Sequence, residues 1–565
     1  MLGRMIQLPS RHSVLGLLTE TTELEAKAAA DRLRARYTSV PGLEGWTTSC
    51  AWLPELRAAV VIAGVRPPVL VPPFDVVWGC PTGADGPATG AERDAALARP
   101  EAALDLDGVF VLLRAEEHRV RLVTSAAFAF TLRRSGPAWA TRAVAALALA
   151  GRPLVVDRQA AIEAVVWQAV LQDGEVLQDV AACEEASTVE VTRTGVTERS
   201  YASLGDRLSP GPAPTVTEFR SLVGELASRL TRTPGARLGI TGGRDSALVA
   251  SCLAEHGGTV PTYSMGPPRY SDVLAGQAVA RQLGWPHVTL PVTDARGRTS
   301  RLWPAASTVP DGRLADWLVR HAPWGEGLQH PRDALVGRLR WEGEPFAAVT
   351  GHGGETGRAF LWDGVADAAL DTDPASVLTS RGTALHLPAQ ARDHYTAVLE
   401  ADVQLARDIG RPQDALDIVY VRRQRSWLEH GGLPMAPARD ALPVLLAPSA
   451  VRAMIDVPRE QRREARFFDA ALTSWRPELR ATALAEATRD VRPWRLLGPL
   501  NPYLLRNDWP LLARVLEELE PDGLLARDLL GDAWWKGAVD TAREQPGARG
   551  PIWNAVAVEA LHRIS

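Results

Sequence analysis

The six residues Thr241-Gly-Gly-Arg-Asp-Ser246 combine the features of an anion-binding turn with a carboxylate. They follow a short apolar run typical of a buried strand, and a helical pattern begins directly after them. Two glycines let successive backbone N–H groups point into one concavity, and the helix N-terminus adds further N–H groups and a positive dipole. Ser246 can donate a hydroxyl, and Asp245 can hold Mg²⁺ against phosphate oxygens. The stretch predicts a phosphate or pyrophosphate site, with a plain strand-to-helix turn as the alternative.

A second glycine-rich stretch, Gly351-His-Gly-Gly354, follows another apolar run and is itself followed by Glu355. The segments around the two stretches alternate between strand-like and helix-like patterns, which predicts a parallel sheet with crossover helices. Ligands of such sheets bind at the carboxyl ends of the strands, where both stretches are expected. The predicted strands are 236–240, 259–264, 287–291 and 345–350, and the predicted helices are 244–256 and 272–283.

The preceding part of the chain has a different pattern. Residues 1–208 are mainly strand-like, with a hairpin predicted from 109–113 and 119–123 and helices predicted at 138–150 and 158–171. Ser209-Pro-Gly-Pro-Ala-Pro214 is a linker, because three prolines exclude a helix or a central strand. Thr215-Val-Thr-Glu218 then forms a capping box for a helix. We therefore predict two domains, 1–208 and 215–565, with mostly helical structure beyond residue 395.

Composition narrows the class of protein. The chain of 565 residues is 46% hydrophobic and 23% charged, which is typical of globular proteins. Its net charge of −5 argues against recognition of nucleic acid or of an anionic membrane by bulk electrostatics. No apolar stretch approaches the ~20 residues of a membrane span. The four cysteines show no CxxC spacing. We expect a cytoplasmic protein with neither a nucleic-acid nor a membrane partner.

Several motifs together carry a family resemblance. Thr241–Ser246 resembles the Ser-Gly-Gly-x-Asp-Ser loop (PP-loop) of ATP pyrophosphatases, with Thr in place of the first Ser. Tyr263-Ser-Met-Gly266, the segment from Asp272 to Gly284 with its following Pro286-His287, and Val349–Glu355 are similar to the synthetase domain of class B asparagine synthetases. The similarity covers roughly residues 215–460. It implies an α/β protein with an N-terminal Ntn-hydrolase-like sandwich and a PP-loop synthetase domain, which has a parallel sheet and a helical C-terminal part.

The N-terminal domain resembles the glutaminase domain of that family in outline only. Leu106-Asp-Gly-Val-Phe110 matches the family's Leu-x-Gly-x-Phe strand. A glutaminase of this type uses Cys at position 2 as its nucleophile, but this chain has Leu2. The resemblance therefore implies a degenerate domain without the nucleophile, which serves as a scaffold or as a docking surface for a peptide.

Without ammonia from glutamine, the amine must come with the substrate. Two branches of the superfamily work in this way, the β-lactam synthetases and the lasso peptide cyclases. The length of the chain and its long helical C-terminal region look more like the cyclases. These adenylate an Asp or Glu side chain of a leader-cleaved core peptide and join it to the peptide's own N-terminal amine; a leader peptidase and a leader-binding protein would be partners. The alternatives are a small-molecule amide or β-lactam ligase and a catalytically silent ATP-binding partner of a processing protease.

The resemblance implies ATP and Mg²⁺ as cofactors and assigns residues to them. Asp245 and Glu355 would hold the metal, with Glu replacing the family's Asp at 355. The residues expected to bind ATP and pyrophosphate are Thr241, Gly242, Gly243, Arg244, Asp245, Ser246, Met265, Thr350 and Gly351.

His352 is the first of two expected catalytic residues. It stands where asparagine synthetases carry Glu and β-lactam synthetases carry Tyr. The ordinary pKa of histidine, near ~6.5, suits removal of a proton from the attacking amine at neutral pH. The alternative is a histidine that only forms hydrogen bonds to the substrate or within the loop.

Lys536 is the second. Lys27 and Lys536 are the only lysines among 62 Lys and Arg residues, so this sequence uses arginine almost exclusively. A compact ammonium is not interchangeable with a guanidinium where a point charge meets developing negative charge. The family has a late active-site lysine, and Lys536 is the candidate for it. The alternative is a lysine that occurs by chance, as at Lys27.

Overall fold

A computed structural model of the chain describes most of its residues. The described residues are 4–9, 13–40, 43–129, 132–167, 170, 174–241, 243–266, 271–290, 313–326, 328, 346–362, 387, 389–427, 438–479, 509–520, 523–545 and 548–564. Leu2 and Gly242, both used in the sequence-based predictions, lie outside them.

Two six-stranded sheets form the first part of the chain. The first sheet has the order β1-β5-β8-β9-β13-β14, with β1 parallel to β5 and the other pairs antiparallel. The second sheet has the order β12-β10-β11-β2-β4-β3 and is antiparallel throughout. The strands are β1 (Arg4–Leu8), β2 (Ser13–Leu18), β3 (Thr47–Leu53), β4 (Ala58–Gly64), β5 (Phe74–Gly79), β6 (Thr82–Gly83), β7 (Gly86–Pro87), β8 (Phe110–Ala115), β9 (Arg119–Thr124), β10 (Arg133–Ser135), β11 (Ala138–Ala140), β12 (Ala181–Ala182), β13 (Ser187–Thr192) and β14 (Gly195–Ser200).

The alternation of side chains along these strands produces a four-layer sandwich. Leu15 and Leu17 of the second sheet share one buried cluster with Val76 and Trp78 of the first sheet, so these faces pack against each other. The opposite face of the second sheet packs against α1 and α3, and that of the first sheet against α2. The helices are α1 (Glu23–Thr38), α2 (Gly90–Ala98), α3 (Ala143–Ala150), α4 (Arg158–Trp167) and α5 (Leu204–Leu208).

Most local predictions for this part are confirmed. The predicted hairpin corresponds to β8 and β9. The predicted helix 138–150 is wrong at its start, because residues 138–140 form β11, which pairs with β2, and α3 begins only at Ala143. Residues 209–215 contain neither helix nor strand. Helix α6 (Val216–Thr231) begins with the predicted capping box, in which Glu218 N donates to Thr215 Oγ1 at 3.2 Å. The division into domains at this linker stays a prediction.

A second unit is built on a five-stranded sheet, all parallel, of order β17-β16-β15-β18-β19. Its strands and first helices are β15 (Ala236–Gly239), α7 (Arg244–Glu255), β16 (Thr262–Met265), α8 (Ser271–Leu283), β17 (His287–Leu290), β18 (Phe346–Thr350) and β19 (Ala438–Pro443). The chain adds strands on one side of β15 and then on the other. The strand order therefore reverses between β15 and β18, where sheets of this kind have a crevice for ligands.

The sequence-based prediction missed β19, since mostly helical structure was expected beyond residue 395. The run from Ala441 to Leu446 is buried, and Pro443 is followed by the single 3₁₀ turn Val444–Leu446. Only the second half of β19 is apolar, and this apolar run continues past the strand into the 3₁₀ turn, so the pattern does not distinguish a strand from a short buried helix.

The remaining helices surround both units. They are α9 (Leu314–Gly325), α10 (Gly354–Gly357), α11 (Ala389–Asp408), α12 (Ala415–Trp427), α13 (Pro448–Asp456), α14 (Arg459–Arg462), α15 (Arg466–Thr473), α16 (Trp509–Leu519), α17 (Leu525–Leu530), α18 (Asp532–Glu544) and α19 (Gly550–His562). Helix α19 packs against α4 and α9, so the last helices share an apolar cluster with the sandwich. Among the helices in the described ranges, none combines the length and apolarity that a bilayer crossing requires. None of the four cysteines forms a disulfide.

Candidate active site

The first glycine turn lies at the carboxyl end of β15, as predicted. Thr241 N donates to Ser246 Oγ at 3.1 Å, and Gly243 N donates to Thr241 Oγ1 at 3.2 Å. Gly243 is the N-cap residue of α7. The Ser246 hydroxyl is buried and also lies 3.2 Å from the Gly243 carbonyl oxygen, to which it donates. The two hydroxyls thus fix the shape of the turn in front of the helix N-terminus.

The second glycine stretch meets the first. A Cβ atom at Gly351 would lie 2.7 Å from the carbonyl carbon of Asp245, and one at Gly354 would collide with the Asp245 carboxylate. Gly353 has a φ of +100°, which only glycine adopts readily, and it packs against Leu446. Side chains at these positions would separate the two loops, so the glycines bring Asp245 and Glu355 to one place.

Arg358 joins the two carboxylates. Its Nη2 lies 3.1 Å from Asp245 Oδ2 and 3.3 Å from Glu355 Oε1. The side chains of Asp245, Glu355 and Arg358 are 18%, 25% and 23% exposed. Burial raises the pKa of Asp245; Arg358 opposes this shift and the negative charge of Glu355 adds to it. The three side chains form one coupled ionic group, called here the site cluster.

Tyr420, on α12, completes the wall of the site beside Glu355. Burial, together with the negative charge of Glu355, raises the pKa of Tyr420, so its hydroxyl is protonated. A protonated hydroxyl and the Arg358 guanidinium thus both favour the charged form of Glu355.

The donor set fits a magnesium ion that is shared with phosphate. Asp245 Oδ1 and Glu355 Oε2 are buried, and neither has a hydrogen-bond partner among the described residues. Each carboxylate thus offers one oxygen, while its other oxygen faces Arg358. No group of three or more His, Cys, Asp and Glu residues in the described ranges could hold a metal by itself. This arrangement suits Mg²⁺, which is usually bound by one or two carboxylates and by substrate phosphates.

The remaining residues expected to bind ATP lie around the same crevice, with one difference. Met265 ends β16, and Thr350 ends β18 with its buried hydroxyl lacking a hydrogen-bond partner in the described part of the chain. His352 lies half-buried on the second glycine stretch. The Arg244 guanidinium is engaged by Asp469 of α15, with Nε 3.0 Å from Oδ1. Arg244 is therefore held toward α15 rather than placed between the two carboxylates.

Lys536 lies on a different helix from the residues above. It is exposed on α18, a helix that packs mainly against α17 and α19. Trp534 and Trp535, which precede it, are buried and fix which face of the helix points inward. The rarity of lysine in the sequence carries no information about which helix face the residue occupies. The catalytic role of Lys536 stays a prediction.

Sequence reasoning missed Arg358, Tyr420 and Asp469. Arg358 follows Glu355 by three residues, a spacing at which side chains on a helix meet, and this was the one signal available. Tyr420 and Asp469 reach the site from helices far along the chain. No local pattern points to either of them.

Comparison with known proteins gives one family match, which includes the first glycine turn. Residues 229–305 match the family model described as asparagine synthase. The match contains β15, the first glycine turn, α7, β16, α8 and β17, and it ends before β18. No curated protein matches the chain. One solved structure with similarity is a glutamine phosphoribosylpyrophosphate amidotransferase from B. subtilis in complex with ADP and GMP, at 10% identity over 61% of this chain and 77% of that chain. Its TM-score is 0.20, so this likeness supports no conclusion.

Proposed function

We propose that the chain is an ATP-dependent ligase that converts a carboxylate into an acyl-adenylate and then joins it to an amine. The observation that carries the proposal is the convergence of two glycine loops on Asp245 and Glu355 at the switch point of a parallel sheet. The asparagine synthase match over residues 229–305 includes the first of these loops. The products would be an amide, AMP and pyrophosphate.

Each part of the site has a role in this reaction. The N–H groups of the first glycine turn and of the start of α7 would hold the departing pyrophosphate. Asp245 and Glu355 would bind Mg²⁺, which neutralises phosphate charge when present. Met265, Thr350 and Gly351 would bound the nucleotide from the neighbouring strand ends. His352 would accept the proton that the attacking amine loses as the amide bond forms.

For the substrate, we propose a ribosomal peptide that carries both reacting groups. The chain has Leu2 where a glutamine-dependent relative needs its cysteine nucleophile, so the amine is expected to arrive with the substrate. In a lasso peptide cyclase these groups are an Asp or Glu side chain and the N-terminal amine of a leader-cleaved core peptide. A leader peptidase and a leader-binding protein would supply that peptide. The N-terminal sandwich would then act as a scaffold or as a docking surface.

Two alternatives use the same site. A β-lactam-synthetase-like or other small-molecule amide ligase would form the same acyl-adenylate on a smaller substrate. A silent ATP-binding partner protein would bind nucleotide without turnover. The two free carboxylate oxygens of the site cluster favour a metal-dependent enzyme over the silent partner, because a buried carboxylate without a ligand costs stability.

The test compares the wild type with Asp245→Ala. We expect the wild type with ATP, Mg²⁺ and a core peptide encoded beside its gene to yield AMP, pyrophosphate and a peptide lighter by one water. Hydroxylamine should trap the acyl-adenylate as a hydroxamate. Asp245→Ala should lose turnover and stay folded, because the side chain stands in the first turn of α7, where its ionic partners are partly exposed; a thermal melt checks this.

The matched control is Asp107→Ala. Asp107 is another half-buried carboxylate, 12% exposed and paired with Arg229 at 3.0 Å, and it lies outside the site. This variant should keep turnover. Formation of ADP and phosphate instead of AMP and pyrophosphate would refute the proposed chemistry. Trapping of a small carboxylic acid but of no peptide would favour the small-molecule ligase.

A further inference from the structure

We propose that Arg358 is a phosphate-binding residue which, before ligands arrive, bridges the two metal-binding carboxylates and competes with the metal for them. This inference rests on the proposed function, since it concerns the same nucleotide site. In the ligand-free arrangement Arg358 bridges Asp245 Oδ2 and Glu355 Oε1 at 3.1 and 3.3 Å. It leaves the second oxygen of each carboxylate, Oδ1 and Oε2, for the metal.

The charges explain why a cation is needed between these residues. Two carboxylates in a half-buried site repel each other strongly, because the effective dielectric constant there is far below that of water. Arg244 also acts on Asp245, but its guanidinium pairs with Asp469. Arg358 contacts both Asp245 and Glu355 and so offsets their repulsion most directly.

Arrival of a divalent cation reverses this balance. The two carboxylates carry two negative charges, whereas the divalent cation and the guanidinium together carry three positive charges. The cation therefore repels the guanidinium unless further anions enter the site. The phosphates of ATP are such anions, and a guanidinium presents a planar fork of N–H donors that matches phosphate oxygens. Arg358 follows the short helix α10 as its C-cap residue, and we infer that its long side chain turns from the carboxylates to a neighbouring phosphate when the metal and the nucleotide bind.

A purely structural role for Arg358 is the competing explanation. The loop that carries Glu355 is already held by another cation, because Arg462 Nη1 donates to the Thr356 carbonyl oxygen at 3.0 Å. Arg462 is completely buried and has carboxylate partners of its own, Asp414 and Asp417. The loop thus has an anchor that does not involve Arg358, and a structural role for Arg358 would duplicate it.

The experiment measures binding of Mn²⁺ and of pyrophosphate, without turnover. In Arg358→Gln, Mn²⁺ alone should bind about tenfold more tightly than in the wild type, because a competing positive charge is gone. Pyrophosphate in the presence of saturating Mn²⁺ should bind about tenfold more weakly, because a charged donor is gone. The two changes have opposite signs, and a general loosening of the site cannot produce both.

Two further variants complete the design. Arg229→Gln removes an arginine of similar exposure, 26%, from its ion pair with Asp107 and should change neither affinity. Arg358→Lys keeps the charge without the fork, so Mn²⁺ should bind as in the wild type and pyrophosphate more weakly; this variant decides the matter if Arg358→Gln does not fold. Unchanged or weaker Mn²⁺ binding in Arg358→Gln, or unchanged pyrophosphate binding, would overturn the inference. ATP–pyrophosphate exchange by the wild type reports on the proposed function separately.

Discussion

Two ionic groups lie close together in this molecule and differ in how completely they are paired. The site cluster of Asp245, Glu355 and Arg358 is partly exposed and leaves two carboxylate oxygens without a hydrogen-bond partner among the described residues. The second group, called here the anchor cluster, is buried and consists of Arg462, Asp414, Asp417, Arg411 and Asp456. All its carboxylates are Asp, and both of its cations are Arg.

The anchor cluster satisfies its groups. Asp417 accepts from Arg462 at 2.9 Å and from Trp362 Nε1 at 3.0 Å. Arg462 also donates to the Val457 and Thr356 carbonyl oxygens at 2.8 and 3.0 Å. A buried charge without partners would cost several kcal/mol, so this network is stable only because it is complete.

This difference in pairing indicates that the anchor cluster stabilises the fold and that the site cluster is suited to bind a ligand. The charges of the anchor cluster are already paired with each other, whereas the site cluster has two carboxylate oxygens that a metal could bind. The two are joined through Thr356, whose carbonyl oxygen is held by Arg462 and which follows Glu355 directly. The anchor cluster therefore helps to position Glu355 of the site cluster.

The largest effect is expected from breaking the anchor cluster. Arg462→Met leaves Asp414 and Asp417 buried without their shared cation, which should lower the free energy of unfolding by about 3–5 kcal/mol. Urea unfolding measures this loss. Arg358→Met in the site cluster removes a cation from partners that are 18% and 25% exposed and should cost clearly less than Arg462→Met. An equal loss of unfolding free energy in the two variants would contradict the view that only the anchor cluster stabilises the fold.

The next effect concerns His352, beside the site cluster. If His352 removes the proton from the attacking amine, His352→Gln should slow amide formation by about 10²–10⁴-fold. Adenylation should persist, because the glycine turn and both carboxylates are untouched, and ATP–pyrophosphate exchange measures it. Amide formation at the wild-type rate in this variant would exclude the role. Loss of exchange would instead assign His352 to nucleotide binding.

The sequence predicted individual strands and helices better than it predicted which strands or side chains contact each other. The four strands predicted around the two glycine loops are present, and their ends within the described residues lie at most three residues from the predicted ones, because apolar runs and glycine turns are local signals. The strand β19 was missed, since its register against β18 depends on residues 92 positions apart in the pair Phe346–Ala438. Long-range pairing of this kind has no local pattern.

The same limit applies to the site. Asp245 and Glu355 could be singled out because each follows a glycine turn at a strand end, and the structure brings these two side chains together. Arg358 was overlooked because its significance comes from Asp245, 113 residues away in the chain. Lys536 was selected because lysine is rare in the sequence, and that signal says nothing about position. Burial of Trp534 and Trp535 decides which face of α18 points inward.

A smaller, pH-dependent effect is expected at His321 of α9, which lies in neither cluster. Its ring stacks on Trp317 with centroids 5.0 Å apart, and burial, together with the charge of Arg142, lowers the pKa of His321 to about 4. As the pH falls below ~6.5, His321 is therefore protonated in the unfolded chain but still neutral in the folded chain. The free energy of unfolding keeps its full value above pH ~6.5 and should fall by up to about 3 kcal/mol as the pH drops toward 4.

Unfolding by urea across this pH range checks the effect. His321→Gln should flatten the dependence between these two pH values, whereas substitution of His118, whose side chain is 60% exposed, should leave it unchanged. An unchanged profile in His321→Gln would assign the acid sensitivity to the ionic groups instead. The site cluster and the anchor cluster would then be the first groups to examine.

The smallest effect is expected at Lys536, which tests whether the site is complete without the last helices. Lys536 is exposed on α18, and exposed substitutions away from special features change stability by only about ±0.5 kcal/mol. Lys536→Arg should therefore match Lys27→Arg, a change at an exposed lysine that pairs only with Glu23 at 2.6 Å. Turnover and melting temperature of both variants should equal those of the wild type. If Lys536→Arg instead lost roughly 10²–10³-fold in rate, as expected for a charge that contacts the transition state, α18 would have to approach the glycine loops during the reaction. The site would then include a cation that the ligand-free arrangement keeps at the surface.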